Sequence, residues 1–243
     1  MNRDFGPKMK LNFNKLGSDL MHILYPNFCL ICDYEIQHSP AAICPICASE
    51  LHYTNYENYI EASPLDELFW GRIPLQATFA LLYFGEQNAT RKLLHQLKYK
   101  NRADLAQHMG KEIGQRILQM EAFKTVDALV PVPLHHKKEF IRGYNQAEEL
   151  AKGIQVVTNI PLQTEILKRI VFTESQTKKG KLSRWENMQQ KFAYDTSPKH
   201  DFKHIAIIDD VVTTGSTIET CSRMLMEAYP NAKISIISLA TAT

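Results

Sequence analysis

The sequence has no long hydrophobic run, no strong charge of one sign and no secretion signal at its start. No stretch approaches the roughly 20 apolar residues that cross a bilayer, and residues 1–26 have no continuous apolar core followed by a cleavage site. The formal net charge is only +2, which is too small to indicate a nucleic-acid-binding protein by itself. These absences argue against a membrane-spanning or exported protein, and we expect a cytoplasmic location without a transmembrane segment.

The composition that remains is that of a folded chain. Hydrophobic residues make up 44% of the 243 residues and charged residues 22%, whereas disordered chains contain fewer apolar residues. This length accommodates one ordinary domain and a small appended module. We therefore divide the chain into residues 1–58, with an amphipathic helix over 11–25 and a cysteine-rich module, and residues 59–243, a second domain.

Four of the five cysteines form two Cys-x-x-Cys pairs. Eleven residues separate the first pair, Cys29 and Cys32, from the second, Cys44 and Cys47. In a reducing compartment such pairs indicate a metal site before disulfides, and four thiolates satisfy tetrahedral zinc without leaving an open position. A redox pair or an iron–sulfur cluster is the alternative. We predict a structural zinc site, and we interpret the fifth cysteine, Cys221, as a small buried residue.

Short apolar strands alternate with helices from about residue 73 onward. The predicted strands are 77–84, 126–132, 167–172, 204–208 and 233–239, and the predicted helices are 89–99, 102–120, 145–157 and 216–228. This alternation predicts an α/β domain whose parallel sheet is covered on both faces. Ligands of such sheets bind beyond the carboxyl ends of the strands, so the residues that follow each strand are candidates for a site.

The segment after the strand at 204–208 combines groups that suit a phosphorylated sugar. Its residues are Asp209, Asp210, Val211, Val212, Thr213, Thr214, Gly215, Ser216 and Thr217. Hydroxyls, a glycine turn and free N–H groups at a helix N-terminus form an anion cradle. Adjacent carboxylates accept hydrogen bonds from ribose hydroxyls or help to hold a divalent metal. A helix cap followed by an ordinary turn is one alternative, and a phosphoacceptor aspartate is another; a Walker A loop is excluded because its lysine is absent.

Residues 205–219, IAIIDDVVTTGSTIE, resemble the fingerprint with which type I phosphoribosyltransferases bind phosphoribosyl pyrophosphate (PRPP). From residue 23 onward, the chain resembles the ComF family of natural-competence proteins, which includes proteins labelled amidophosphoribosyltransferase-like. Members pair a four-cysteine zinc module with this domain and share a segment like VPVPLHHKKEFIRGYNQAEELA, here residues 130–151. A further shared pattern occurs here as Arg169, Gln176, Thr177, Arg184, Asn187 and Phe192.

The resemblance implies a type I phosphoribosyltransferase-like domain that binds PRPP together with magnesium. The 5-phosphate would lie on residues 213–217, the sugar hydroxyls on Asp209 and Asp210, and the pyrophosphate near Pro133 and Arg142. A guanidinium group suits bidentate phosphate contacts, although a salt bridge from Arg142 to a nearby glutamate is the structural alternative.

The stretch 168–204 is basic and lies between two predicted strands. It contains nine Lys or Arg residues and four Asp or Glu residues. It resembles the family's catalytic loop, a lid that closes over a pyrophosphate leaving group and stabilises its charge. The resemblance implies catalytic roles for Arg184, Asp209 and Asp210; a solvated surface excursion is the alternative for the individual lysines.

A second basic cluster surrounds an aromatic residue. Its members are Arg91, Lys98, Tyr99, Lys100 and Arg102. Cations interleaved with an aromatic ring can follow a nucleic-acid backbone and stack a base, although a charge run is more often a solvated helix face.

Two functions remain open at this stage. One is a phosphoribosyltransferase that releases pyrophosphate with an unidentified nucleobase or amine acceptor. The other, which we favour for the biological role, is a PRPP-binding protein that handles single-stranded DNA during natural transformation, with other competence proteins as partners. A PRPP-sensing regulator ranks last, because the sequence has no helix-turn-helix pattern.

Overall fold

The computed structural model describes residues 27–36, 42–85, 89–169, 192–194 and 201–242. No helix in these ranges is long and apolar enough to cross a membrane. The helix predicted over 11–25 lies outside the described residues, and so do Arg184 and most of the basic stretch 168–204.

A parallel sheet of four strands forms the centre of the protein. The described residues form six strands in all: β1 (Ala77–Tyr83), β2 (Ala128–Pro131), β3 (Leu167–Arg169), β4 (Phe192–Tyr194), β5 (His204–Val212) and β6 (Lys233–Thr241). The sheet has the order β1-β6-β5-β2, and each neighbouring pair is parallel. Runs of successive residues are buried along β5 and β6, as expected for strands that are covered on both faces. The predicted α/β architecture is confirmed.

The described part of the strand predicted over 167–172, residues 167–169, lies outside this sheet. Residues of β3 pair antiparallel with β4 in a separate ladder of two strands. A strand needs a long crossover connection to join a parallel sheet, whereas an antiparallel ladder needs only the return of the chain. Leu167 is buried and Lys168 is exposed, so β3 has the one-sided burial of a sheet that faces solvent.

Seven α-helices occur in the described residues. They are α1 (Pro45–Ser49), α2 (Pro64–Phe69), α3 (Ala89–Tyr99), α4 (Ala103–Ile117), α5 (His136–Arg142), α6 (Gln146–Thr158) and α7 (Ser216–Ala228). The bounds of α3 and α7 are those predicted, and α4 and α6 lie close to theirs. Three of these helices were not predicted: α1, α2, which begins with a capping box between Ser63 and Asp66, and α5, none of whose residues is buried.

Two glycines bring the backbones of α4 and α6 into contact. A Cβ atom at Gly110 would lie 2.2 Å from the carbonyl oxygen of Leu150, and one at Gly153 would lie 2.2 Å from the carbonyl oxygen of Gln107. No side chain fits at either position, so the helix pair approaches more closely than ordinary helices do.

Short segments outside the named strands pair with both edge strands of the central sheet, β1 and β2. Tyr53 forms an antiparallel bridge with Leu82 on β1, and Leu129 of β2 forms a parallel bridge with Leu162. Residues 52–54 therefore extend the sheet at β1, although they precede residue 58, at which we divided the chain. The module and the sheet also share one hydrophobic core, and the division into two domains stays a prediction.

Candidate ligand site and metal centre

The two adjacent aspartates project past the end of a neighbouring strand. β2 ends at Pro131, which pairs with Ile208, whereas β5 continues to Val212. Asp209 and Asp210 thus belong to the last four residues of β5, and the prediction that this strand ends at residue 208 is wrong. Pairing with β6 explains the extension, because it continues as far as Val212. The aspartates still lie at the carboxyl end of the sheet, where ligands bind in this fold class.

A tight turn connects β5 to α7. Gly215 has a φ of +72° and lies at the N-cap of α7, and a Cβ atom there would lie only 2.6 Å from the Phe69 ring. Glycine has no side chain that could accept from the first N–H groups of the helix, which leaves them available to an anion. A small pocket at this turn is lined by Asp209, Val211, Val212, Thr213, Thr214, Gly215, Ser216, Thr217 and Ile218.

Asp209 and Asp210, the acidic pair, have different electrostatic surroundings. Burial, together with the neighbouring Asp210 carboxylate, raises the pKa of Asp209 to about 8, even though the residue keeps some exposed surface. The backbone N–H of Asp210 donates to Asp209 Oδ1 (2.9 Å). Lys98 Nζ lies 3.2 Å from Asp210 Oδ2. At neutral pH Asp209 therefore holds a proton, and Lys98 pairs with its neighbour Asp210.

Arg72 forms hydrogen bonds to the turn and to the first turn of α7, and the sequence did not predict this contact. Its Nη1 donates to the carbonyl oxygen of Thr214 (2.9 Å), and its Nη2 donates to Glu219 Oε2 (2.7 Å). Although burial opposes it, donation from Arg223 and Arg72 holds the pKa of Glu219 below its ordinary value. A single arginine between the cysteine module and β1 has no sequence pattern that predicts contact with this turn. The sequence feature that points to a basic partner is Glu219, in the first turn of α7.

Pro133 and Arg142 lie at the same end of the sheet. The backbone N–H of Val132 donates to the carbonyl oxygen of Ile208 (2.9 Å), so the chain leaves β2 beside the position at which Asp209 begins. Arg142 Nη1 donates to Gln146 Oε1 (2.7 Å). The structural alternative for Arg142 does not occur, because Glu148 and Glu149 both pair with Lys152 in the described part of the chain.

The predicted basic cluster separates into two groups. Lys98 contacts the acidic pair, and Arg102 pairs with Asp33 and Asp104, with Nη1 of Arg102 at 2.8 Å from Asp33 Oδ1. By contrast, Tyr99 and Lys100 are exposed, and the Tyr99 ring lies 4.9 Å from that of His95. Arg91 is also exposed. A nucleic-acid role for this cluster stays a prediction.

The four predicted metal ligands converge. The Sγ atoms of Cys29, Cys32, Cys44 and Cys47 all lie within 4.8 Å of one another. With Zn–S bonds of about 2.3 Å, tetrahedral geometry separates the sulfurs by about 3.8 Å, and the Sγ atoms of Cys32 and Cys44 are 3.8 Å apart. The backbone N–H of Cys44 donates to Cys29 Sγ (3.3 Å), as in the outer shell of a metal thiolate. The thiols therefore fit a structural zinc ion.

The metal centre is attached to the helix that carries Lys98. Gln96 Nε2 donates to the carbonyl oxygen of Ile31 (2.8 Å), and Arg102 reaches Asp33, which has a φ of +57° in the first cysteine turn. The end of α3 thus contacts the cysteine module on one side and the acidic pair on the other.

No protein-family model matches the chain, but curated relatives cover most of it. Competence protein F of Haemophilus influenzae is 30% identical over 215 residues, 84% of this chain and 86% of that protein. Competence protein ComFC of Bacillus subtilis is 24% identical over 87% of this chain and 82% of its own length. DNA utilization protein YhgH of Salmonella typhimurium is 27% identical over 55% of this chain and 60% of its own length. The chain belongs to the ComF family.

Proposed function

We propose that the 209–217 segment binds PRPP, or a phosphorylated sugar of the same shape. The observation that carries this proposal is the pair of aspartates that projects beyond β2 directly before an uncapped helix N-terminus. Separate sites for hydroxyls and for one phosphate, within a few residues of each other, match a sugar phosphate.

In this proposal each group of the site has a distinct task. The N–H groups and hydroxyls of residues 213–217 bind the 5-phosphate, and the carboxylates of Asp209 and Asp210 accept from the sugar hydroxyls. Arg142, oriented by Gln146, contacts the pyrophosphate beside Pro133. Carboxyl oxygens of Asp209 and Asp210 would be suitable ligands for a magnesium ion, which would supply neutralisation of pyrophosphate charge.

Calorimetric titration of magnesium-PRPP into the zinc-loaded protein tests this site. The double variant Asp209→Asn, Asp210→Asn replaces both carboxyl groups by neutral amides and should abolish binding. The matched control is Asp201→Asn, an exposed carboxylate before the amino end of β5, which should bind as the wild type does. Absence of binding by the folded wild type would refute the proposal.

We further propose that this protein handles single-stranded DNA in the cytoplasm during natural transformation, with other competence proteins as partners. The names of the relatives, two competence proteins and a DNA utilization protein, support this role. Binding through phosphate contacts must weaken as salt rises, because each contact releases a counterion. A salt series of oligonucleotide binding tests this role, and an affinity that is independent of salt would contradict it.

An active phosphoribosyltransferase is the second candidate. The observation in its favour is that Arg142 and the acidic pair lie at the same end of the sheet, so that a leaving pyrophosphate and the sugar could be held together. In this case Arg184, which lies outside the described residues, is the proposed further catalytic group. Release of pyrophosphate from PRPP with a panel of nucleobases and amines would support turnover, whereas tight binding without release would favour the binding role.

A further inference from the structure

Helix α5 (His136–Arg142) leaves its apolar side chains in solvent. Phe140 is 89% exposed and Ile141 is 79% exposed, whereas surface helices ordinarily turn such residues toward the core. The helix is nevertheless held at both ends. His135 Nδ1 accepts from the backbone N–H of Lys137 (3.2 Å), and Gly143 ends the helix with a φ of +81°. An exposed aromatic residue on a firmly capped helix is suited to contact with a partner.

Positive charge predominates on the helix that carries Phe140. In the part of the chain that the structure describes, no acidic side chain pairs with Lys137 or Lys138, and both lysines are exposed. Slight desolvation and neighbouring basic groups, His136 and Arg169 among them, lower the pKa of His135. The helix thus carries Lys137, Lys138 and Arg142 against one acidic residue, Glu139, and this net positive charge beside an aromatic ring complements a polyanion that has flat apolar groups.

The surface of α5 continues into the turn after α3. The side-chain oxygen of Asn101 lies 3.0 Å from the position of a Cβ atom on Gly143, so this turn packs against the end of α5. In the same region the Tyr144 hydroxyl donates to the carbonyl oxygen of Leu97 (2.6 Å). The turn itself presents Tyr99, which is 67% exposed, and Lys100. Exposed aromatic rings and exposed lysines thus occur on two adjoining elements.

We propose that α5 binds single-stranded nucleic acid, with Phe140 stacking on a base and Lys137 and Lys138 contacting phosphates. This inference rests on the DNA-handling part of the proposed function and assigns it a surface. Single strands expose their bases, and every base has a face that stacks on an aromatic ring. The chain that connects β2 to α5 leaves the sheet beside the 209–217 segment. A bound DNA strand would therefore pass close to the pocket formed by that segment.

Fluorescence anisotropy with a labelled oligothymidine of about 20 nucleotides tests the proposal, since sites of this kind cover roughly 4–16 nucleotides. Phe140→Ala should weaken binding about fivefold or more, whereas Phe140→Tyr, which keeps a stacking ring, should bind as the wild type does. The double variant Lys137→Gln, Lys138→Gln should reduce the slope of log affinity against log salt by about 1.4, because each phosphate contact in a single strand contributes about 0.7. Lys233→Gln, which changes an exposed lysine at the amino end of β6, is the control for loss of a surface lysine elsewhere and should change neither quantity.

Each other outcome has a defined meaning. Wild-type binding that Phe140→Ala leaves intact refutes the assignment to α5 and spares the DNA-handling role. Absence of DNA binding by the wild type refutes both. If Phe140→Ala instead abolishes co-sedimentation with phosphatidylserine vesicles and leaves DNA binding unchanged, α5 faces a membrane and the proposal is wrong. Phe140 is exposed, so equal melting temperatures of the variants should exclude misfolding as the cause.

Discussion

Replacement of Asp209 by asparagine should stabilise the protein, and by an amount that grows with pH. The pKa of Asp209 is raised from an ordinary value near 3.8 to about 8 in the folded protein. Between these values the folded state holds a proton that the unfolded state has lost, so the wild type loses stability as pH rises. Linkage gives about 1.4 kcal/mol per pH unit for one proton. Asp209→Asn removes this effect. The difference in free energy of unfolding between the variant and the wild type should therefore grow by about 4 kcal/mol from pH 5 to pH 8.

Urea unfolding of both proteins at several pH values measures this difference, because all other titrating groups are shared and largely cancel. Asp201→Asn is the control, since an exposed carboxylate before the amino end of β5 should give a flat difference curve. A stability difference between Asp209→Asn and the wild type that changes by less than about 1 kcal/mol over this range would show that Asp209 is ionised at neutral pH.

Three further predictions concern other parts of the molecule. Lys98→Met should lower the free energy of unfolding at pH 8 by roughly 1–3 kcal/mol, since Asp210 loses the ammonium group 3.2 Å away; Lys100→Met, which changes an exposed lysine, should have no effect on urea unfolding. Gly153→Ala should destabilise the protein by about 1–3 kcal/mol, because its methyl group meets the Gln107 carbonyl oxygen at 2.2 Å; a neutral result would contradict the close helix contact. Elemental analysis should find one zinc ion per chain, and its removal by a chelator should lower the melting temperature; a metal-free protein with an unchanged melting curve would contradict the zinc site.

The elements that were predicted well have strong local signals. Residues of α3 and α7 alternate polar and apolar positions at helical spacing, and the structure places both helices at the predicted bounds. The cysteine spacing likewise specified four converging thiols. By contrast, α5 has no apolar face to reveal it, and β5 extends through two aspartates that a residue-by-residue reading assigns to a loop.

The long-range contacts of the site were not predictable from local patterns. Lys98 and Asp210 are 112 positions apart (210 − 98), and their ion pair depends on how α3 packs beside β5. Arg72 contacts Thr214 across a similar distance in sequence. Such pairs are set by the tertiary fold, which brings the ends of separate elements together. A basic residue beside an aromatic one gives the same local sequence pattern whether it forms a buried ion pair or lies on an exposed surface.

The chain that runs along the edges of the central sheet has a consequence for solubility. An uncovered edge strand presents unpaired N–H and C=O groups, which can recruit a second molecule by strand addition. The residue that bridges β1, Tyr53, follows closely on the cysteine module and lies six positions after Cys47. If the thiols lose their metal and this segment detaches, β1 becomes a free edge. Metal-depleted protein should then leave solution as aggregates before the rest of the fold melts.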